Sequence, residues 1–241
     1  MKFLRSTRLL LSLLGAFAAA SGAHAANMVE VGGLHAKYFY DSDYWGAGAL
    51  TVVDNSLTFA LSNAFSLSTT MRQADGHSQK NLNTYSQIWA IADDGYVLGS
   101  ATTSTVTGQV KVSSKGSYAS LQLLSTVSSA SWDGSRISTL DNIEWVYNFP
   151  NKSGSDGAYD GKLVGVETSK NDRREYSALL IGLSNGLIVD QEGVGQSSAT
   201  VNTIRYDFTV MRPVPEPETY AMLLAGLGLV GFMARRRQRG A

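Results

Sequence analysis

Between residues 26 and 212, hydrophobic and polar positions alternate with a period of two along much of the chain. Ile204, Tyr206, Phe208 and Val210 alternate with Arg205, Asp207 and Thr209. Ile143, Trp145, Tyr147 and Phe149 alternate across Glu144 and Asn148, and the same rhythm runs through Leu57, Phe59 and Leu61 and through Ala119, Leu121 and Leu123. Successive strand residues point to opposite faces, so this rhythm predicts half-buried strands of antiparallel sheets, one face on a core and the other toward solvent. Turn signals fall between the runs at Asp75-Gly76, Asp94-Gly95, Asp133-Gly134 and Asn185-Gly186. Asx-Gly supplies the positive φ of tight turns, which predicts hairpins at Asp94-Gly95 and at Ser184-Asn185-Gly186. About ten strands with short turns, and few segments of helical period, predict an all-β fold: a two-sheet antiparallel sandwich, jelly-roll-like. The runner-up, a β-helix, needs a repeat of about 20–30 residues, and none is found.

The two ends break this pattern. Lys2, Arg5 and Arg8 precede an apolar stretch over residues 9–20, and Ala23-His24-Ala25 is a small-x-small site. That order predicts a secretory signal peptide over residues 1–25, cut after Ala25. At the other end, three of the four prolines lie within residues 213–217. Proline fixes φ and lacks an N–H, so this segment reads as a stiff, extended spacer. The run 220–234 is uncharged and, as a helix, about 22 Å long at ~1.5 Å per residue. That is shorter than the ~30 Å hydrocarbon core of a bilayer, so the predicted single C-terminal transmembrane helix spans it marginally. Arg235, Arg236, Arg237 and Arg239 follow as a basic stop that stays on the cytoplasmic side. Gly226, Gly228 and Gly231 formally match a dinucleotide fingerprint, but no strand precedes them and no acidic residue follows. The predicted organisation is a leader over 1–25, an exported domain over 26–212 and a tail over 213–241.

Val214-Pro215-Glu216-Pro217-Glu218-Thr219-Tyr220, the glycine-rich apolar run and the arginine cluster together resemble the PEP-CTERM sorting tail. Pro215, Glu216 and Pro217 match its signature triplet, and Arg235 to Arg237 its basic stop; Glu218 stands where a small hydroxyl residue is common. The resemblance implies processing by exosortase, a membrane-embedded cysteine peptidase of Gram-negative bacteria that make exopolysaccharide. It implies a transient anchor in the inner membrane, then a place at the cell surface or in the extracellular, biofilm matrix. It covers about an eighth of the chain and implies nothing about residues 26–212, because such tails are fused to unrelated domains.

Charge changes the picture once the ends are set apart. The whole chain balances 20 basic against 20 acidic residues. Three basic residues lie in the leader, and four basic and two acidic residues lie in the tail; the domain keeps 13 basic against 18 acidic, near −5. Nucleic-acid binding, which rests on cationic contacts to phosphate, is not expected. The absence of cysteine excludes thiol catalysis, zinc–thiolate sites and disulfides.

Candidate chemistry is sparse. Gly182-Leu183-Ser184-Asn185-Gly186 matches the G-x-S-x-G nucleophile elbow, but both histidines of the domain, His35 and His77, lie upstream and the flanks read as strand. No metal site or cofactor is predicted; two histidines without helical spacing do not make a zinc site. The oxygen-rich loop with Asn151, Ser153, Ser155, Asp156 and Asp160 departs from the EF-hand pattern at the glycine and bidentate-glutamate positions. Aromatic rings remain. Trp45 and Trp132 lie near Gly and Asp and are the candidate surface rings for sugar contact, whereas Trp89 and Trp145 sit in apolar strands and are assigned to the core. The resulting expectation is a non-enzymatic, exported sandwich associated with extracellular polysaccharide. The alternatives are a carbohydrate-binding module using surface aromatics and calcium, and a secreted hydrolase with an unrecognised site. Mass spectrometry of the exported protein is expected to find Ala26 as its first residue; a mature N-terminus well inside the domain contradicts the leader.

Overall fold

The structure is a computed structural model and describes residues 27–45, 49–61, 65–133, 137–170, 172, 174–213 and 217–238. Ala23, Ala25, Pro215, Glu216 and Arg239 lie outside the described residues. The chain divides into two compact units, Met1–Met211 and Arg212–Ala241.

In the first unit the described residues form β1 (Met28–Gly32), β2 (Ala36–Asp41), a single helical turn α1 (Ser42–Trp45), β3 (Leu50–Val53), β4 (Ser56–Ala60), β5 (Ser66–Met71), β6 (His77–Ala92), β7 (Val97–Val112), β8 (Tyr118–Trp132), β9 (Ile137–Asn148), β10 (Asn151–Ser153), β11 (Tyr159–Thr168), β12 (Glu175–Tyr176), β13 (Ala178–Glu192) and β14 (Gly195–Met211). They make two antiparallel sheets. The first runs β1-β2-β6-β13-β8-β10 with β9 also on β8; the second runs β11-β7-β14-β4-β3 with β12 on β7 and β5 on β14. The long strands cross back and forth: β6, β8 and β13 belong to the first sheet, β7 and β14 to the second. The expected two-sheet antiparallel sandwich is what forms.

Neither expected hairpin does. Asp94-Gly95 turns the chain, with Gly95 at φ 80° and Tyr96 N–H bonded to the Asp93 carbonyl, but it carries β6 of one sheet into β7 of the other. Asn185-Gly186 is no turn at all. β13 runs straight through it, paired with β6 on one side and β8 on the other. Tertiary pairing on both edges overrides a local turn signal that supplies only one residue pair of preference.

The core lies between the sheets. From the first come Tyr38, Ile88, Leu121, Leu123, Leu179, Ile181 and Leu187, and from the second Leu57, Phe59, Val106, Val110, Ile204 and Tyr206. Alternation over 204–208, 57–59 and 119–123 thus reads correctly, with those apolar residues pointing inward. Gly108 marks the closest approach: an added Cβ would stand 2.2 Å from the Thr200 carbonyl oxygen and 2.7 Å from Leu121. The β14 register shifts between Val201 and Thr203 alongside it, a bulge that lets the strand stay paired over its length.

Buried polar groups bridge the sheets. Ser125 on β8 and the Tyr206 hydroxyl on β14 lie 3.1 Å apart, and Asn148 on β9 donates to the Ser104 carbonyl on β7 at 3.1 Å. Gln191, fully buried, accepts from Ser113 and Ser197 and donates to the Ser114 hydroxyl and the carbonyls of Glu192 and Gly193. All four of its hydrogen-bonding positions are used, so its burial carries no desolvation debt.

The second unit contains α2 (Pro217–Gln238), which begins at Pro217 and has Arg235, Arg236 and Arg237 near its end. Among the described residues no helix is long and apolar enough to cross a membrane. The expected helix is present, but the apolar run within it stops after 15 residues at the arginine cluster, and three glycines dilute it.

Burial pushes the Tyr206 and Tyr38 hydroxyls well above the usual tyrosine range. Burial, then the hydrogen bond to Asp172 and its charge, pushes Tyr176 up to about 12. A raised folded-state value means stability fully present below the ordinary value of 10.0 and lost as pH climbs toward the folded value. In an alkaline titration, tyrosinate absorbance from Tyr206 and Tyr38 is expected to appear together with loss of the β circular-dichroism signal. Gradual ionisation of all eleven tyrosines with the fold intact would show the burial to be wrong.

Candidate functional site

The strand register places a groove on the outer face of the first sheet. Along β13 the odd positions Leu179, Ile181, Leu183, Asn185, Leu187 and Val189 point into the sandwich, so Gly182, Ser184, Gly186 and Ile188 point outward. Gly182 pairs with Gln87 on β6 and Thr126 on β8, and Thr126 pairs with Trp145 on β9. One row further, Ser184 pairs with Tyr85 and Leu124, and Leu124 with Tyr147. Each row crosses four strands, about 14 Å at ~4.8 Å per strand. Tyr85 stands at one side and Trp145 and Tyr147 at the other, with Gly182, Ser184, Thr126 and Leu124 between.

The result is a groove of about 440 Å³ lined by Tyr85, Gln87, Leu124, Thr126, Trp145, Gly182 and Ser184, with Ser86 and Leu183 at its base. Tyr85 is 75% exposed, Trp145 52% and Tyr147 59%. Tyr147 meets Phe149 edge to face at 5.8 Å, which extends the aromatic side. Glycine at 182 and 186 leaves room for side chains of the flanking strands to lean over β13. A Cβ at Gly182 would lie 2.4 Å from Thr126 Oγ1, and one at Gly186 would lie 2.6 Å from Asn83 Oδ1 and 3.1 Å from Gln122 Oε1. None of the lining residues carries a formal charge.

Beneath the groove a polar knot fixes the register. Asn185 donates to the Tyr44 hydroxyl at 2.6 Å, Tyr44 and Thr84 hydroxyls are 2.6 Å apart, and Thr84 donates to the Asn185 carbonyl at 3.3 Å. With Thr84 donating to the carbonyl, the Tyr44 O–H is left to donate to Thr84. Burial raises the Tyr44 hydroxyl above its ordinary range against the opposing effect of these two partners, which keeps it the neutral donor. α1 is thereby tied to β6 and β13 directly under Tyr85 and Ser184.

Trp89 is buried as assigned, but the sequence assigned Trp45 and Trp145 the wrong way round. Trp45 is 3% exposed and stacks on Phe59 at 4.0 Å in the core, so it is no surface ring. Trp132 is half-buried against a small apolar cluster on the outer face that contains Met28, Phe39, Trp89 and Ile91. Trp145, assigned to the core, faces outward, while its neighbours Val146 and Asn148 point inward. Period two says which residues share a face, not which face is inside; one residue of register exchanges them. Tyr85 was not singled out at all. Its signal is a run of outward, non-apolar positions on one strand: Gln79, Asn81, Asn83, Tyr85 and Gln87.

The other candidates stay apart. Gly182 to Gly186 lie within one continuous strand, with no strand-to-helix turn for a nucleophile. His77 Nε2 is 2.8 Å from Asp190 Oδ1 at the far end of β6, and His35 stacks on Tyr96 at 3.8 Å. In the 151–161 segment, Ser153 Oγ caps the Ser155 N–H and Asp160 faces Lys111 at 3.8 Å, on two different strands. Among the described residues no three His, Cys, Asp or Glu side chains group as metal ligands would.

Residues 213–237 match the family model of the PEP-CTERM protein-sorting motif. The chain carries a PEP-CTERM sorting tail. The match confirms the resemblance carried by Pro215, Glu216, Pro217 and the arginine cluster, and leaves the sandwich unassigned. No curated protein matches the chain. Among solved structures, it is similar to a xylan-binding module, CBM15, at 15% identity over 76% of this chain and 97% of that one, with a TM-score of 0.22. It is also similar to a protein from work on carbohydrate-binding modules of the β-sandwich superfamily, at 12% identity over 77% of this chain and 75% of that one, with a TM-score of 0.18. Likeness of this extent assigns no ligand.

The two tryptophans provide a check on this geometry. Trp45→Ala is expected to cost about 3–5 kcal/mol, as for a buried ring in a packed core. Trp145→Ala is expected to change stability by about 0.5 kcal/mol or less, as at an exposed position. Urea denaturation of both variants measures this, and a reversed order would overturn the register of β9.

Proposed function

We propose that this chain is an exported protein, sorted through its PEP-CTERM tail and processed by exosortase, whose non-enzymatic β-sandwich holds polysaccharide at the cell surface or in the extracellular matrix. The observation that carries the binding part is the uncharged groove walled by Tyr85 and Trp145. Exposed planar rings offer apolar faces to the C–H faces of sugars, and the small polar residues between them supply hydroxyl-compatible partners. The lining holds no carboxylate and no histidine, so acid–base hydrolysis is not part of this reading.

The tail supplies the address. Met222, Leu223, Leu224, Leu227, Leu229 and Val230 are exposed along α2, an apolar surface that suits a lipid or peptidase partner. With the basic stop behind it, this short helix serves as a transient anchor at the inner membrane, released when the tail is cut.

Two measurements test the two halves separately. Replacing Pro215, Glu216 and Pro217 with alanine is expected to leave the chain unprocessed in the membrane fraction; unchanged release would falsify the sorting role. In affinity electrophoresis through gels containing soluble polysaccharides, the Tyr85→Ala/Trp145→Ala variant is expected to lose about tenfold or more in affinity, two stacking contacts being worth roughly 0.5–1.5 kcal/mol each. Retention of wild-type mobility shifts by a folded double variant would remove this groove as the binding site.

A further inference from the structure

We infer that the groove is bounded along β13 by a second, amide-lined subsite, where Asn83 and Gln122 cover the buried Gly186, and that its ligand is an uncharged, extended polysaccharide. This rests on the glycan-binding reading above and narrows it to a ligand class. The G-x-S-x-G repeat has no nucleophile role in this fold, and the register gives it another one. Gly182, Ser184 and Gly186 are consecutive outward positions of the central strand, and the four steps from Gly182 to Gly186 span about 14 Å at ~3.4 Å rise. Of the three only Ser184 carries a side chain, and the strand is flanked by β6 and β8 on its two sides.

The walls change character along this strand. Beside Gly182 and Ser184 they are Tyr85 on one side and Leu124 and Trp145 on the other. Beside Gly186 they are Asn83 on β6 and Gln122 on β8, its two register partners. Both amide oxygens close over the glycine, since a Cβ there would meet them at 2.6 and 3.1 Å. Among the described residues neither amide is hydrogen-bonded to protein. Each presents an acceptor oxygen and two N–H donors, which is the pairing a sugar hydroxyl needs, because a hydroxyl both donates and accepts.

Charge sets the ligand class. Uronate, sulfate and phosphate groups are recognised by cationic side chains, with Arg and Lys in bidentate or point-charge contacts. The floor and both walls contain none. The first ionisable group met along the outward face of β13 is Asp190, already paired with His77. An acidic polymer entering the groove would lose hydration without gaining a counter-charge, on a domain that is itself near −5. A neutral polymer loses no charge hydration, stacks on the rings and meets the amides.

The test is affinity electrophoresis of the full chain through gels containing hydroxyethylcellulose or galactomannan as neutral probes and polygalacturonate as the anionic one. Retardation is expected in at least one neutral gel and not in polygalacturonate. The Asn83→Ala/Gln122→Ala variant is expected to bind about tenfold more weakly, as for the loss of hydrogen bonds worth ~0.5–1.5 kcal/mol each. The isosteric Asn83→Asp/Gln122→Glu variant, which keeps shape and removes donors, is expected to weaken binding as well, with circular dichroism reporting the fold of both. Retardation by polygalacturonate equal to that by the neutral probes overturns the ligand class and leaves glycan binding standing. Amide variants that bind like the wild type overturn the second subsite. A wild-type chain retarded by none of the gels overturns the glycan-binding reading itself, and this inference with it.

Discussion

The alternation along β13 is the constraint from which both halves of this sandwich follow. Its odd positions, chiefly Leu179, Ile181, Leu183, Leu187 and Val189, are buried between the sheets, and its even positions from Gly182 to Gly186 are small and face outward. Burying a large aliphatic side chain stabilises by roughly 1.5–3 kcal/mol, so five of them on one strand outweigh what a single disulfide, at ~2–4 kcal/mol, would add. A chain without cysteine can therefore hold its sheets together through this strand. The same pleat that drives the aliphatic residues inward leaves the other face of β13 free of bulk, and the groove needs that lack of bulk. Core and groove are two sides of one register.

That register was only half legible in the sequence. Which residues share a face was readable: Leu57 with Phe59, Leu121 with Leu123, and Ile204 with Tyr206 and Phe208 are all inside. Which face is inside was not, where both faces carry apolar residues. On β9 the aromatics Trp145 and Tyr147 make the more hydrophobic row, yet Val146 and Asn148 face the core, Asn148 because Ser104 of the opposite sheet accepts its amide. The turn signals failed for a related reason. Asn185-Gly186 has the chemistry of a hairpin, but Asn185 is needed inward to hold Tyr44, and Gly186 is needed outward beneath Asn83 and Gln122. The tail, by contrast, was readable residue by residue, because its function resides in a short linear motif and not in a fold.

Polar side chains in the interior do different work at different depths. Ser125 with Tyr206 and Asn148 with Ser104 bridge the two sheets, so sliding one sheet over the other would strand buried donors. Gln191 closes one end of the sandwich with every lone pair and proton engaged. At the surface, the loop before β12 is gathered on one carboxylate: burial acts against the charge of Asp172, but hydrogen bonds from Tyr176, the Arg174 N–H and Ser100, with the Arg174 charge, outweigh it and hold the carboxyl below its usual range. These contacts specify one arrangement of the sheets more than they add bulk stability.

β14 has a consequence of a mechanical kind. It is the longest strand, central in its sheet, bonded to β7 along one edge and to β5 and β4 along the other, and Met211 at its end is followed at once by the tail. A pull on Met211 directed along β14 would therefore load its best-paired strand. The ladders on both sides resist as a set loaded in shear, instead of parting one bond at a time like an edge strand peeled from its neighbour. Along that direction, separating β14 requires breaking the ladders on both its edges together.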